Sequence, residues 1–263
     1  MPRRLLLSGV GVLALIAAAT AASAPALVGV IGIASEVIAV EHRLQDTREE
    51  AVRGYVFRVG TLDGRRVAVG RSGTGKVNAA IVATLLVNQF APAALLFSGT
   101  AGAIDRTLYP GDVVIGAAVA QHDTGIMTAG GVQRRGLRSP ITGEIDPILL
   151  PAPEALLTAA RAAAAGLQLP PAGDAGGRAP KIIEGVIVTG DVFVADAAKR
   201  NELRRSLGAA AVEMEGAAVV QACRTFAVPC LVIRSITDRA DSWSTSLPSP
   251  YVASITSGAQ LAH

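Results

Sequence analysis

Aromatic side chains are scarce in this chain. Phe, Trp and Tyr supply 3% of its 263 residues. A core built on stacked rings is excluded, and the abundant Ala, Val and Gly point to small, closely packed elements. Histidine is scarcer still. His42, His122 and His263 are scattered without ligand spacing, so no histidine-based metal centre is expected, and no cofactor is implied. There are 2 cysteines, Cys223 and Cys230, too few for a disulfide framework. Neither has a metal-like or redox-like neighbour, and both are expected to be buried, unpaired thiols. Net charge is also small, +3, with Arg3 and Arg4 at the extreme N-terminus contributing two of the positive charges. That balance gives no support to a nucleic-acid partner. After the first 26 residues no apolar run reaches the length of a membrane helix.

What is present in quantity is small apolar residue, 51% hydrophobic by count, enough for a substantial core. The N-terminal "MPRRLLLSGVGVLALIAAATAASAPA" has a basic start, an apolar stretch and small residues, the parts of a secretory signal. Ala24-Pro25-Ala26 and Thr20-Ala21-Ala22 are rival cleavage sites. An uncleaved membrane anchor over residues 1–26 is the alternative. Export makes a periplasmic or secreted protein the expectation, with a membrane-bound one if the segment stays. Residues 27–263 then read as a single domain.

Along that domain strand and helix patterns alternate. "ALVGVIGIA", "AALLFSG", "GDVVIGAAVAQHD", "KIIEGVIVTG" and "PCLVIRSITD" are short apolar runs of buried-strand type. "GYVFRVGTLDGRRVAVGRSG" predicts a hairpin turning at Asp63-Gly64. "KVNAAIVATLLVNQF", "PAPEALLTAARAAAAGL" and "DAAKRNELRRSLG" predict helices, and "AAAVEMEGAAVVQACRTF" a strand running into one. "QLPPAGDAGGRAP" is a Pro/Gly loop. The alternation implies an α/β fold with a central mixed sheet covered by helices.

"VAVGRSGTGKVNAA" places Gly70, Gly75 and Lys76 at the P-loop spacing G-x-x-x-x-G-K. The hydroxyl that would hold magnesium is replaced by Val77, and the turn follows the second strand of a hairpin. An ATPase is excluded on both counts. The glycines instead permit a tight strand-to-helix turn whose N–H groups stay free to meet a partner.

"SGTGKVNAA", "FSGTAGAI", "GDVVIG", "HD", "VTGDVFVAD", "VEMEGAAV" and "IRSITDRAD" occur in that order. Together they resemble the nucleoside phosphorylase and nucleosidase superfamily. The nearest branch cleaves 5′-methylthioadenosine and S-adenosylhomocysteine, and the likeness covers roughly Leu27 to Asp241. It implies a three-layer α/β fold with a partly barrel-like central sheet, and a homodimer. It also implies N-glycosyl hydrolysis that releases adenine. Asp238 would protonate or hydrogen-bond purine N7, supported by Thr237. An aspartate after a strand is more often a cap, but the matched "SITDRAD" context favours chemistry. Glu215 would bind the ribose hydroxyls and Met214 would pack on the sugar. Phe193 would stack on adenine and Val194 would meet it through backbone. Thr100 and Gly102, in "SGTAG", would cradle the ligand. Glu36, in "GIASEV", would be the general base for water, aligned across a one-residue deletion. Glu213 has a weaker claim. His122, Asp123, Asp196 and Asp241 are expected to be structural, and Arg134, Arg135 and Arg138 to form a solvated run.

Two alternatives stay open. A phosphorylase needs cations for phosphate. Phe97 stands where phosphorylases of this superfamily carry arginine, which disfavours that reading. An exported nucleoside-binding protein without turnover is the other, suggested by the altered first loop and by "SWSTSLPSPYVASITSGAQLAH". There a long amphipathic helix would be expected, but Pro248 and Pro250 break the pattern. The 5′ substituent is not set by the sequence.

Overall fold

The computed structural model describes residues 26–167, 169 and 178–241. The signal or anchor segment, the Pro/Gly loop over 168 and 170–177, and the C-terminal segment from 242 lie outside the described residues.

The chain forms a mixed α/β fold. Its strands are β1 (Val28–Gly32), β2 (Gln45–Val52), β3 (Tyr55–Leu62), β4 (Arg65–Arg71), β5 (Ala94–Ala103), β6 (Val113–Gln121), β7 (Gly125–Thr128), β8 (Gly131–Arg134), β9 (Leu150–Pro151), β10 (Ile182–Thr189), β11 (Ala209–Glu213) and β12 (Cys230–Asp238). Its helices are α1 (Ala34–Arg43), α2 (Lys76–Phe90), α3 (Glu154–Ala164), α4 (Ala197–Leu207) and α5 (Gly216–Thr225). The large sheet runs β11-β10-β6-β12-β5-β1-β4-β3-β2, and β11 pairs again with β5. Strands β5, β12, β6, β10 and β11 therefore close into a ring, the barrel-like part, and β1 to β4 extend from it as an open wing.

Local chemistry explains most of these elements. Strands β1, β5, β6, β10 and β12 lie within the sheet and pair on both edges, so they read as apolar runs rather than alternating ones. The turn between β3 and β4 has Asp63 at φ 47° and Gly64 at φ 77°, the two positive values a type I′ hairpin requires. A second such turn at Arg53 and Gly54 joins β2 to β3. One hairpin is expected from the sequence, and the structure has three, since β7 and β8 pair as a separate sheet. Strand β2, "QDTREEAV", is exposed along most of its length and forms the end of the wing, so nothing in its polar sequence signals a strand. Helix α2 packs on α5, and both bury alanine and valine in the largest core cluster. Cys223 and Cys230 are free and buried in that cluster, as expected. No described helix is long and apolar enough to cross a membrane.

The topology gathers chain ends where chemistry can occur. Strands β1 and β12 flank β5 in parallel, with Ile31 opposite Phe97 and Asp238 opposite Gly102. Their C-terminal ends lie side by side, where open α/β sheets place their ligands.

Candidate active site

A cleft of about 180 Å³ opens at these strand ends. All nine residues expected at the site line it: Glu36, Thr100, Gly102, Phe193, Val194, Met214, Glu215, Thr237 and Asp238. Glu213, Ile33 and Thr74 are among the others that do. No lysine or arginine among the described residues lines it.

Glu36 reaches the cleft because β1 runs straight into α1. It is the third residue of that helix, and its Oε2 turns back to accept the Ile33 N–H at 2.8 Å, the glutamate half of a capping box. Its Oε1 accepts the Thr100 N–H at 2.9 Å and the Thr100 hydroxyl at 3.1 Å. The side chain ties α1 to β5, and the residue is only 4% exposed. Burial pushes its carboxyl above the usual range, while the Arg234 charge and the Ile33 and Thr100 hydrogen bonds pull the other way. A carboxyl so placed holds its proton to higher pH than an exposed glutamate.

Glu215 ends the turn from β11 into α5, and its Oε1 accepts the Gly75 N–H at 2.8 Å. The glycine turn that imitates a P-loop thus presents its N–H to a protein carboxylate. Gly73 and Gly75 adopt φ 70° and 90°, which the tight turn needs. Burial first, then the Glu213 charge, raise the Glu215 pKa, and Arg234 and the Gly75 hydrogen bond oppose them. Asp238 closes β12. Its Oδ2 accepts from the Thr237 hydroxyl at 3.1 Å, and its Oδ1 from the Ala240 N–H at 2.8 Å. A Cβ on Gly102 would lie 2.7 Å from that Oδ1, so the bare backbone there is what admits the carboxylate.

Two residues are more important here than the sequence suggested. Arg234 is fully buried in β12, its guanidinium 4.1 Å from the Phe97 ring centroid. It donates from Nη2 to Glu213 and lies 3.9 Å from Glu215. Burial disfavours its charge, and Glu213, Glu36 and Glu215 together outweigh that and keep it protonated. Glu213 also accepts from the Thr189 hydroxyl and from the N–H groups of Glu215 and Gly216, which fixes the start of α5. The signal was a lone arginine inside the apolar run "CLVIRSIT", because a charge in a central strand needs a buried partner. Gly99 lies against both charges. A Cβ there would fall inside the Arg234 guanidinium and 2.7 Å from Glu36 Oε2.

The supporting residues sort as follows. Asp196 caps α4, accepting the Lys199 N–H at 2.6 Å, and Asp241 pairs with Arg200 at 2.7 Å. His122 is buried and packs on Gly190, and burial lowers its pKa. The solvated arginine run needs correcting at Arg134, whose side chain is 8% exposed. It grips Glu202 through both Nη atoms at 2.8 and 2.9 Å and donates Nε to the His122 carbonyl. A strand position facing α4 makes it an inter-element clamp. Among the described residues no cluster of His, Cys, Asp and Glu could hold a metal ion.

Comparison with known proteins identifies the family. The family model described as Phosphorylase superfamily matches residues 26–254. A 5′-methylthioadenosine/S-adenosylhomocysteine nucleosidase of Mycobacterium tuberculosis is 37% identical over 218 residues, spanning 81% of this chain and 86% of its own. The structure of such a nucleosidase from Colwellia psychrerythraea, in complex with adenine, superposes with a TM-score of 0.73 at 30% identity, covering 90% of this chain and 93% of that one. The Neisseria meningitidis nucleosidase in complex with methylthio-immucillin-A gives 0.71 at 27% identity, covering 90% and 96%. With that sequence coverage, and with the three acids on one cleft, the chain belongs to the phosphorylase superfamily, in its 5′-methylthioadenosine/S-adenosylhomocysteine nucleosidase branch.

Proposed function

We propose that the protein hydrolyses the N-ribosidic bond of 5′-methylthioadenosine and S-adenosylhomocysteine-type nucleosides, releasing adenine. The observation that carries this is the convergence of Glu36, Glu215 and Asp238 on one cleft whose described lining has no cation. Phe193 stacks on the adenine ring and Val194 meets it through backbone groups. Glu215 accepts from the ribose hydroxyls, with Met214 against the sugar. Asp238 protonates or hydrogen-bonds N7, so the electron pair of the breaking C1′–N9 bond is taken up by the purine. Glu36 removes a proton from the attacking water as its oxygen bonds to C1′. The Thr100 hydroxyl, which donates to Glu36 Oε1, keeps a lone pair that can accept from this water and orient it.

Water is favoured over phosphate on electrostatic grounds. One guanidinium is surrounded by three carboxylates, so an incoming phosphate meets net repulsion. Phe97 is buried beneath Arg234 and supplies no second cation. Incubating purified protein with 5′-methylthioadenosine, with and without phosphate, tests the reading. Adenine and methylthioribose are expected without phosphate. A phosphate requirement would make it a phosphorylase, and binding without turnover would make it a nucleoside-binding protein.

The protein acts as a homodimer outside the cytoplasm in this reading. Val77 and Phe226 line one shallow depression at α2 and the end of α5, and both are exposed, as is Ile81 one turn further along α2. A second copy would cover these residues and supply part of the wall for the 5′ substituent. Export rests on the N-terminal sequence pattern, and mass spectrometry of the mature N-terminus checks it.

A further inference from the structure

The P-loop-like motif has a role that the reaction does not use directly. Two backbone N–H groups at the start of α2 meet two carboxylates from distant parts of the chain. Gly75 donates to Glu215, and Lys76 donates to Asp191 Oδ1 at 2.8 Å. Asp191 immediately precedes Val192, Phe193 and Val194, all of which line the cleft, whereas Asp191 does not. Its own N–H donates to Asp123 Oδ2 at 2.9 Å. The Lys76 ammonium bonds Asp123 Oδ1 at 2.7 Å and Gln121 at 3.2 Å. The result is a closed circuit: α2 start, Asp191, Asp123, Lys76. On the other side of the loop the His122 ring fills the space a Cβ on Gly190 would need.

We propose that Asp191 and Asp123, closed around Lys76, are positioning residues that hold the base-binding segment Val192 to Val194 in register with the sugar-binding Glu215. The N-terminus of α2 is the common anchor. Its unpaired N–H groups and positive dipole end favour two carboxylates, as they favour phosphate in a true P-loop. The Lys76 ammonium, 2.7 Å from Asp123 and 3.7 Å from Asp191, offsets part of the negative charge gathered there. Burial alone would raise the Asp123 carboxyl, but the Lys76 and Asp191 hydrogen bonds hold it below its ordinary range, ionised and able to keep both partners. Base and sugar ends of the cleft are thus set from one point, though they lie far apart in sequence.

This inference rests on reading the cleft as a purine riboside site, and its test separates the two. Hydrogen exchange of the amides of residues 191–194 is followed in the free protein and in Asp191→Ala and Asp191→Asn. The alanine variant should exchange about ten-fold faster there, with β12 and α5 unchanged, because one charge-assisted hydrogen bond is lost. Asparagine keeps an oxygen for the Lys76 N–H and should stay within about three-fold of the parent. Calorimetry should show adenine binding about ten-fold weaker in Asp191→Ala, with inhibition by methylthioribose unaltered. Parental exchange in Asp191→Ala would overturn the proposal, as would equal loss of base and sugar affinity, or an asparagine variant as impaired as the alanine one. A parent that binds no adenine would overturn the functional reading while leaving the exchange comparison to decide the positioning role.

Discussion

In the proposed reaction two carboxylates on this cleft do opposite work. Asp238, at the end of β12, would meet the departing base. Replacing it with Asn keeps the shape and removes the acid. Turnover of 5′-methylthioadenosine should fall by about 10²–10⁴-fold with binding largely retained. A variant with parental turnover would remove Asp238 from the mechanism. Glu36 must be ionised to accept a proton, and burial raises its pKa above the ordinary 4.5. Activity should therefore rise with pH along an acid limb centred above 4.5, and Glu36→Gln should abolish that limb with the rate. A limb at or below 4.5 would contradict the assignment. Linkage runs the other way for folding. Glu36 and Glu215 bind protons more tightly folded than unfolded, so their contribution to stability is fullest below 4.5 and is lost as pH rises through their raised values. At this scale the cleft was largely legible in the sequence, because Asp238, Glu215 and Phe193 sit in motifs whose context survives reading one residue at a time. Arg234 and Glu213 were not. Their importance lies in a pairing between β12 and β11, 21 residues apart, that no local pattern displays.

Elements explain which parts of the fold could be read. Helix α2 was legible because apolar residues recur at Ala79, Val82, Ala83, Leu86 and Val87, the face it buries, and it stops at Ala91, in the left-handed region. Strand β12 was legible as an apolar run for the opposite reason, being buried on both faces. Strand β2 was not, since its side chains face water and only backbone pairing to β3 makes it a strand. The β7–β8 hairpin and the two-residue β9 are likewise tertiary outcomes. The join between β11, α5 and β12 is the element-level weak point, because Arg234 holds Glu213 in a dry interior. Arg234→Met should cost about 3–5 kcal/mol by urea unfolding, since it leaves a buried carboxylate without its cation. Glu213→Gln with Arg234→Met should recover part of that. A loss under about 1 kcal/mol would mean the pair is solvated.

For the whole molecule, the proposed dimer rests on the apolar side chains exposed on α2 and at the end of α5. Val77 is 70% exposed on α2, with Ile81 beside it and Phe226 across the same depression, a patch a second copy could cover. Val77→Lys with Ile81→Glu should shift sedimentation from dimer toward monomer and weaken activity with it. A parent that sediments as a monomer at micromolar concentration would remove the second copy from the 5′ pocket. Ring closure has a different consequence. With β5, β12, β6, β10 and β11 joined in a ring, the long free margin left among the described strands is β2, a largely exposed strand that carries Asp46, Arg48, Glu49 and Glu50. A second β2 laid alongside would strip these charged side chains of water. Concentrated, partly heated protein should for that reason precipitate, if at all, as amorphous material, and thioflavin fluorescence should stay dark where a neutral rim would have seeded fibres.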